Sequence, residues 1–190
     1  MNLRQQTQAA LDIYLETFPA EKESLRALAS QLLADTADVF DRKNMLGHVT
    51  TSALVIDPAA RKVLLIHHKL YDRWLQPGGH YESQPGATDS LAASALREVV
   101  EETGILDLRL CPWLLAHDVP LDIDTHAIGA QPKKDEGTHV HHDFVFLVTA
   151  DSTQRLIPQL CEVFGAKWMT YDEVRALNDP RLCRIIQKIA

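Results

Sequence analysis

The sequence lacks a long apolar run and a cluster of basic residues, and each absence narrows the possible functions. No apolar run reaches the roughly 18 residues of a membrane span. The N-terminal stretch MNLRQQTQAALDIYLETF is too polar for a signal peptide. The net charge is −7, so general nucleic-acid binding through phosphate neutralisation is not expected. We predict a cytoplasmic protein with no membrane partner.

Cysteine is also scarce. The three cysteines, Cys111, Cys161 and Cys183, are odd in number, and their spacing matches no metal-ligand motif. We expect them to be reduced and mostly buried thiols. The sequence shows neither an internal repeat nor a low-complexity segment. Its 190 residues suffice for one core with an appendage and are too few for two full domains.

Hydrophobic periodicity and turn residues predict a mixed α/β (α+β) fold. Strands are interrupted by one central helix and followed by terminal helices, which indicates a sheet covered by helices on both sides. The predicted elements are helices at 3–17 and 20–35, a hairpin of strands at 48–57 and 63–68, a loop at 74–86, a helix at 89–103 ended by Gly104, a strand candidate at 108–119, a polar loop at 119–138, strands at 139–150 and 159–170, and short helices at 171–177 and 180–188.

The most unusual stretch is REVVEETG, residues 97–104, which brings Glu98, Glu101 and Glu102 together. Because an α-helix turns by about 100° per residue, the three carboxylates fall within an arc of roughly 100°. Such a face is either a solvated acidic surface or a site for a hard cation, which binds carboxylate and carbonyl oxygens. The Gly-Gly loop just upstream, QPGGHYE, favours the cation site because it brings backbone close to the helix.

The segment GGHYESQPGATDSLAASALREVVEETGI resembles the Nudix box, G-x5-E-x7-R-E-U-x-E-E-x-G-U with U aliphatic. Its second half matches at Arg97, Glu98, Val99, Glu101, Glu102, Gly104 and Ile105. In the first half, Asp89 stands where the family has glutamate, and Ser83 stands at the family glycine. The Gly-Gly pair lies four residues before Ser83, which we interpret as an insertion in the loop before the helix.

The resemblance implies a Nudix-type α/β/α sandwich with a mixed sheet at 46–190. An N-terminal helical extension of two helices, 1–45, lies outside the resemblance, and we expect it to cover the core or to form a homodimer. The implied activity is hydrolysis of a nucleoside diphosphate linked to another moiety X. The implied cofactor is Mg²⁺ or Mn²⁺, and the implied partner is a small-molecule nucleotide.

By the same resemblance, Arg97 orients a metal site whose ligands are Glu98, Glu101, Glu102 and a backbone carbonyl near Gly79. One of the glutamates is also a candidate to assist as a base. The family draws its general base from varied loops, and the candidates in this chain are Glu82 and Glu136. Asp89 either pairs with Arg97 or caps the helix N-terminus.

A second unusual stretch is EGTHVHHDF, residues 136–144. Side chains alternate along a strand, so His139, His141 and Asp143 share one face. His-x-His suits a transition metal such as zinc, and it also suits hydrogen bonds to phosphate or to the attacking water. The alternative is a polar strand start whose histidines bond to their neighbours. A looser resemblance to Nudix proteins with QPGGH before the box supports the substrate contact.

Besides His139 and His141, the candidate substrate site includes two other histidines and the two candidate bases. His126 lies in the loop before this strand and can converge with it, and His80 follows the Gly-Gly pair. The full set of substrate-binding candidates is His80, Glu82, His126, Glu136, His139 and His141. Trp74 and Tyr81 flank the loop and either stack on a base or pack in the protein.

Two other functions stay open beside hydrolysis. One is a catalytically silent Nudix domain that senses a ligand, and the other is a related isomerase that acts on a diphosphate ester. The box does not identify X, and we expect substrate specificity to come from 119–138, from 83–88 and from the N-terminal helices.

Overall fold

The computed structural model describes residues 2–34, 37–83, 90–111, 119–130 and 136–189. The helices are α1 (Leu3–Thr17), a 3-10 turn (Pro19–Glu21), α2 (Arg26–Leu33), α3 (Leu91–Thr103), α4 (Tyr171–Ala176) and α5 (Pro180–Gln187). The strands are β1 (His48–Asp57), β2 (Lys62–His68), β3 (Arg73–Leu75), β4 (Gly78–His80), β5 (Arg109–Leu110), β6 (Asp122–Ile128), β7 (His139–Thr149) and β8 (Val163–Thr170).

The strands form one mixed sheet of eight. β1 and β7 pair in parallel at its centre, and the other pairings in the described chain are antiparallel. The β1 strand is buried along its whole length, as expected for a central strand. Beyond it, β4 pairs with β1, β6 with β7, and β8 with β2. The predicted hairpin, the central helix and the mixed sheet are confirmed.

Each face of the sheet packs against its own layer of helices. On one face, Val55 and Phe144 join the apolar sides of α1, α2 and α3 in one buried cluster. On the other face, Leu54 and Val145 join α4 and α5 in a second cluster. Neighbouring residues of one strand, such as Leu54 and Val55, thus enter opposite cores, because strand side chains alternate. This confirms a sheet covered on both sides, and the N-terminal helices cover one of its faces.

Two predicted loops were wrong. The segment 119–138 was expected to be a polar loop, but it contains β6, whose Asp122 and Asp124 are paired with arginines. The segment 74–86 was expected to be a loop as well, but β4 and the end of β3 lie in it. Strands β3 and β4 have three residues each and pair with longer strands. Hydrophobic periodicity cannot reveal a strand in so short a segment.

Smaller differences concern boundaries and cysteines. The second helix starts at Arg26 and not at residue 20, and the last strand starts at Val163 and not at residue 159. Within the strand candidate 108–119, β5 has two residues, and 112–118 lie outside the described residues. The cysteines are free thiols but less buried than expected, and Cys161 is exposed. Among the described residues, no helix has the length and apolarity needed to cross a membrane.

A buried ionic network joins the C-terminal helix to the N-terminal helices. Lys188 follows α5, and its Nζ lies 2.6 Å from Asp122 Oδ1 and 2.8 Å from Glu21 Oε1. The same ammonium donates to the hydroxyl of Tyr14 at 2.6 Å and lies 3.9 Å from the ring centre of Phe18. Burial and the charge of Asp122 raise the pKa of Tyr14 far above its usual range, so this hydroxyl stays protonated and donates to Glu21.

We predict that Lys188→Met lowers the free energy of unfolding by about 3 kcal/mol or more. Asp122 is fully buried, and the substitution would leave Arg184 as its one ion-pair partner among the described residues. Urea denaturation at pH 7 measures the change. Lys167→Met is the matched control, because Lys167 and Glu173 form an exposed, solvent-screened ion pair at 3.0 Å that should contribute little to stability. Equal losses in the two variants would contradict the role given to the buried charge.

Candidate functional site

The acidic helix α3 is delimited at both ends by its sequence. Ser90 is its N-cap and accepts a hydrogen bond from the Ala93 N–H, and Gly104 ends it in the left-handed region with φ 75°. That backbone conformation favours glycine, as expected for this position. Val99 is buried in the core, so the opposite side of the helix carries the glutamates. Asp89, the other candidate cap, lies outside the described residues.

The Gly-Gly pair lies directly against this helix. Its strand, β4, pairs with β1, with Gly79 opposite Thr51 and Gly78 opposite Ser52. The Gly78 N–H donates to Glu102 Oε2 at 2.8 Å. A Cβ added to Gly79 would lie 2.6 Å from the carboxyl carbon of Glu98. Both glycines are needed here because a side chain would occupy the space of a carboxylate or of β1.

Arg97 holds the acidic face together. Its guanidinium lies 2.8 Å from Glu98 Oε1 and 3.0 Å from Glu101 Oε2. It also donates to the carbonyl oxygen of His80 at 3.2 Å, and it lies 3.9 Å from Glu82. The resemblance implies that Arg97 orients the cluster, and this role stays a prediction. The arginine therefore connects the helix to the loop that follows the Gly-Gly pair.

Glu102 is buried and Glu98 is partly buried, and this burial changes their titration. Burial raises the pKa of Glu98 to about 7, although Arg97 acts in the opposite direction. Burial likewise raises the pKa of Glu102 to about 8, opposed by the hydrogen bond from Gly78. Glu101 is different, because its side chain is 47% exposed. The helix thus presents one exposed carboxylate beside two that are costly to ionise.

This donor set fits a divalent cation of the Mg²⁺ or Mn²⁺ class. Such ions bind carboxylate oxygens, and their charge favours the ionised form of buried carboxylates. Glu98, Glu101 and Gly79 line one cleft of about 330 Å³. Glu102 is buried behind them, where one of its oxygens is already bonded to Gly78. Glu98 and Glu101 are therefore the glutamates most accessible to an ion in the cleft.

Several histidines lie in and beside the same cleft. Strand pairing places His141 of β7 beside His48 of β1 and beside His126 of β6. The ring centres of His48 and His141 are 4.8 Å apart, and those of His126 and His141 are 5.7 Å apart. His80 joins them at 5.2 Å from His48, and His139 lies 5.0 Å from His48. Five of the nine histidines thus form one group.

The two faces of β7 have different roles, as alternation predicts. His139, His141 and Asp143 share the cleft face. His142 points to the other side, where its ring bonds to Gln31 of α2 at 2.6 Å and to Thr125 at 2.9 Å. Burial lowers the pKa of His142 to about 4, so it is a neutral core residue.

Charged groups complete the cleft. Asp143 accepts hydrogen bonds from Ser52 at 2.6 Å and from Thr50 at 3.0 Å, and it pairs with Arg181. Nearer the histidines, Arg42 lies 3.1 Å from Glu136. Both candidate bases line the cleft, Glu82 beside Arg97 and Glu136 beside Arg42.

The cleft is lined by nine of the eleven predicted site residues, and sequence reasoning missed three further residues in or beside it. Both helix glutamates of the cleft lie there with Arg97 and the Gly-Gly pair, and the remaining candidates that line it are His80, Glu82, His126, Glu136 and His141. His139 joins through its contacts with His48 and His141. The missed residues are His48, Arg42 and Arg181. Single residues far apart along the chain form no motif, so only the pairing of β1 with β7 reveals His48.

The aromatic residues that flank the Gly-Gly loop pack within the protein. Tyr81 is buried with its ring centre 5.5 Å from that of Phe40. Trp74 stacks on His67 at 5.0 Å. Neither contact requires a bound base.

Comparison with known proteins gives a family and a fold. A family model described as the NUDIX domain matches residues 46–188, and no match was found among curated proteins. The solved structure of the E. coli dihydroneopterin triphosphate pyrophosphohydrolase is similar with a TM-score of 0.54 at 19% identity, over 74% of this chain and 92% of that one. A C. elegans Ap4A hydrolase in a binary complex has a TM-score of 0.53 at 16% identity, over 74% and 93%. A NUDIX-family hydrolase from Clostridium perfringens has a TM-score of 0.50 at 24% identity, over 74% and 95%.

The contacts of the two glycines lead to different expectations for their alanine variants. We predict that Gly79→Ala weakens Mn²⁺ binding at least about tenfold and changes the free energy of unfolding by less than about 1 kcal/mol. Its Cβ would meet only the flexible end of Glu98, which can rotate away from the site. Isothermal titration with Mn²⁺ and urea denaturation measure the two effects.

Gly78→Ala should behave in the opposite way and lower the free energy of unfolding by more than about 2 kcal/mol. Its Cβ would lie 2.8 Å from the Thr51 carbonyl oxygen and from the Ser52 Cα, which are backbone atoms of the central strand. Gly165→Ala is the control, since nothing lies within 4 Å of its Cβ position. Unchanged Mn²⁺ affinity in Gly79→Ala would contradict the placement of the ion beside Glu98.

Proposed function

Because the chain belongs to the Nudix family, we propose that it is a divalent-metal-dependent hydrolase that cleaves the pyrophosphate linkage of a nucleoside diphosphate joined to another moiety X. The observation that carries this proposal is the contact of Glu98 and Glu101 with Arg97, against Gly79, at the wall of a cleft. A solvated acidic surface would not need one buried and one partly buried carboxylate, or a glycine that leaves room for one of them.

The residues proposed to hold Mg²⁺ or Mn²⁺ are Glu98, Glu101, Glu102 and the backbone of Gly79. When bound, the ion would neutralise phosphate charge and lower the pKa of a water molecule. Arg97 would keep Glu98 and Glu101 in place, because it contacts both carboxylates. Glu102 would fix the Gly-Gly strand through the Gly78 N–H.

Residues on the rest of the cleft are proposed to bind substrate and to accept the proton of the attacking water. Glu82 and Glu136 are the candidates for this base, and both line the cleft. Arg42 and Arg181 bring positive charge to the same wall, which suits a polyanionic substrate. His80 and His126 add polar rings beside them. A cleft of about 330 Å³ accommodates part of a nucleotide.

The identity of X is left to experiment. The similar structures include an Ap4A hydrolase and a dihydroneopterin triphosphate pyrophosphohydrolase, so one fold serves different compounds. Homodimer formation and a cytoplasmic location also stay predictions, as does the division into an extension at 1–45 and a domain at 46–190. The alternative functions are a silent ligand sensor and a diphosphate isomerase. Unlike a hydrolase, neither of them would release phosphorylated products from a pyrophosphate.

We predict that Glu98→Gln and Glu101→Gln each lower turnover by at least about a hundredfold, because each removes a charged oxygen ligand. The assay incubates protein with Mg²⁺ or Mn²⁺ and a panel of nucleoside diphosphate derivatives. Coupled phosphatase or pyrophosphatase then releases phosphate from the products. Glu16→Gln on the exposed side of α1 is the matched control and should keep full activity.

The two outcomes of this assay have different meanings. A metal-dependent signal on one class of compound, absent in Glu101→Gln, would support hydrolysis and would identify X. Full turnover in the Glu98→Gln and Glu101→Gln proteins would rule out the carboxylate site as the catalytic centre. Mn²⁺ binding without turnover on any compound would favour the sensor.

A further inference from the structure

Three of the clustered histidines direct ring nitrogens toward a common point. His48 starts β1, His139 starts β7 and His141 follows on the same face of β7. One ring nitrogen from each lies within 4.8 Å of those of the other two. The Nε2 atoms of His139 and His141 are 3.1 Å apart. A tetrahedral ion with Zn–N bonds of about 2.0–2.1 Å separates its nitrogens by about 3.3 Å, so this pair is already close to the needed spacing.

Hydrogen bonds on the far side of two rings determine which nitrogens are available. Nδ1 of His48 lies 3.1 Å from the Asn44 carbonyl oxygen, and Nδ1 of His139 lies 2.8 Å from the Gly137 carbonyl oxygen. A carbonyl oxygen only accepts, so each Nδ1 carries the hydrogen. In the neutral ring, Nε2 then has a lone pair that points into the cluster. A backbone carbonyl on the far nitrogen is the usual outer partner of a metal-bound histidine.

His48 adds an independent indication. His48 is only 1% exposed, and its Nε2 has no hydrogen-bond partner among the described residues. A buried polar atom without a partner is rare in folded proteins and calls for an explanation. A ligand in the space between the rings would provide that partner.

The hydrogen bonds on Nδ1 favour a metal over a phosphate at His48 and His139. A phosphate needs N–H donors or positive charge, whereas the Nε2 atoms of these two rings carry lone pairs. A metal ion accepts lone pairs, and it accounts for so many imidazoles in one place.

We propose that His48, His139 and His141 form a transition-metal site of the Zn²⁺ class with Nε2 ligands. Three imidazoles leave a fourth position, which faces the cleft because His141 lines it. Nitrogen ligands disfavour Mg²⁺, which prefers oxygen, so this site is chemically distinct from the glutamate face of α3. The proposal does not depend on the proposed hydrolysis, since the three rings and their carbonyl partners define the site by themselves.

The test is a titration of chelator-treated protein with Co²⁺ in the presence of excess Mg²⁺, which occupies the carboxylates. We expect one equivalent of Co²⁺ to bind and to give the visible absorption of a four-coordinate ion. His139→Gln and His48→Gln should lower the Co²⁺ affinity by more than about a hundredfold, because losing a ligand exceeds the cost of losing an outer partner. Zn²⁺ should displace Co²⁺ and abolish the absorption.

Two controls separate this site from other parts of the protein. His67→Gln removes a histidine that stacks on Trp74 and should bind Co²⁺ as the unmodified protein does. The Glu101→Gln protein should also bind Co²⁺ with the affinity of the unmodified protein, whether or not it is active as a hydrolase. Retention of the signal in His139→Gln, or its loss in Glu101→Gln alone, would overturn the proposal, as would the absence of Co²⁺ binding to the unmodified protein.

Thermal unfolding separates a lost ligand from a lost fold. In chelator, each histidine variant should unfold at the temperature of the unmodified protein within a few degrees. Zn²⁺ should then raise the unfolding temperature of the unmodified protein and of His67→Gln, and leave that of His139→Gln unchanged. If His48→Gln or His139→Gln does not fold, His141→Gln decides, because His141 is only partly buried. An equal Zn²⁺ shift in His141→Gln would then reject the site.

Discussion

The parallel pairing of β1 with β7 is the constraint on which both walls of the cleft depend. It places His48 beside His141 and Thr50 beside Asp143. The same β1 strand holds the Gly-Gly strand on its other edge, with Thr50 opposite His80. One buried strand therefore positions the glycines that meet the glutamates and the histidine that meets β7. A shift of one residue in this pairing would move every one of these side chains to the opposite face.

The carboxylates show how the fold maintains a group that is unfavourable in isolation. Glu98 and Glu102 are like charges in a buried place, and burial raises the pKa of both. The Arg97 guanidinium and the Gly78 N–H offset only part of that cost. A folded protein keeps such an arrangement where a function requires it, and perturbed carboxylates in a cleft are a common property of functional sites. Stability and function are in competition at this helix.

Periodicity predicted the long elements and missed the short ones for identifiable reasons. Helices α1 and α3 and strands β1, β2 and β7 each bury a continuous face, so their patterns are visible in the sequence. Strands β3 and β4 have three residues each and exist because a longer strand pairs with them. The β6 strand looked like a polar loop because Asp122 and Asp124 are compensated by ion pairs with basic residues that come much later in the chain, among them Arg184 and Lys188.

The candidate site divides in the same way. The Nudix box is a local motif, so Arg97 and its glutamates were predictable from their spacing, whereas the Gly-Gly pair was predictable only from its position just upstream of the helix. The His-x-His pair of β7 was visible for the same reason, but its meaning was open. His48 supplied the missing information, because an unpartnered Nε2 and a carbonyl-bonded Nδ1 are properties of the folded chain and not of any sequence window.

Two ligand sets in one cleft would solve a problem of metal selectivity. Zinc binds a given site more tightly than Mn²⁺ does, so a carboxylate site alone is open to the wrong ion. Imidazole nitrogens bind zinc well and Mg²⁺ poorly, and those of His48, His139 and His141 are grouped together, with His141 lining the same cleft as Glu98 and Glu101. A zinc ion held there would leave the oxygen ligands to the harder ion.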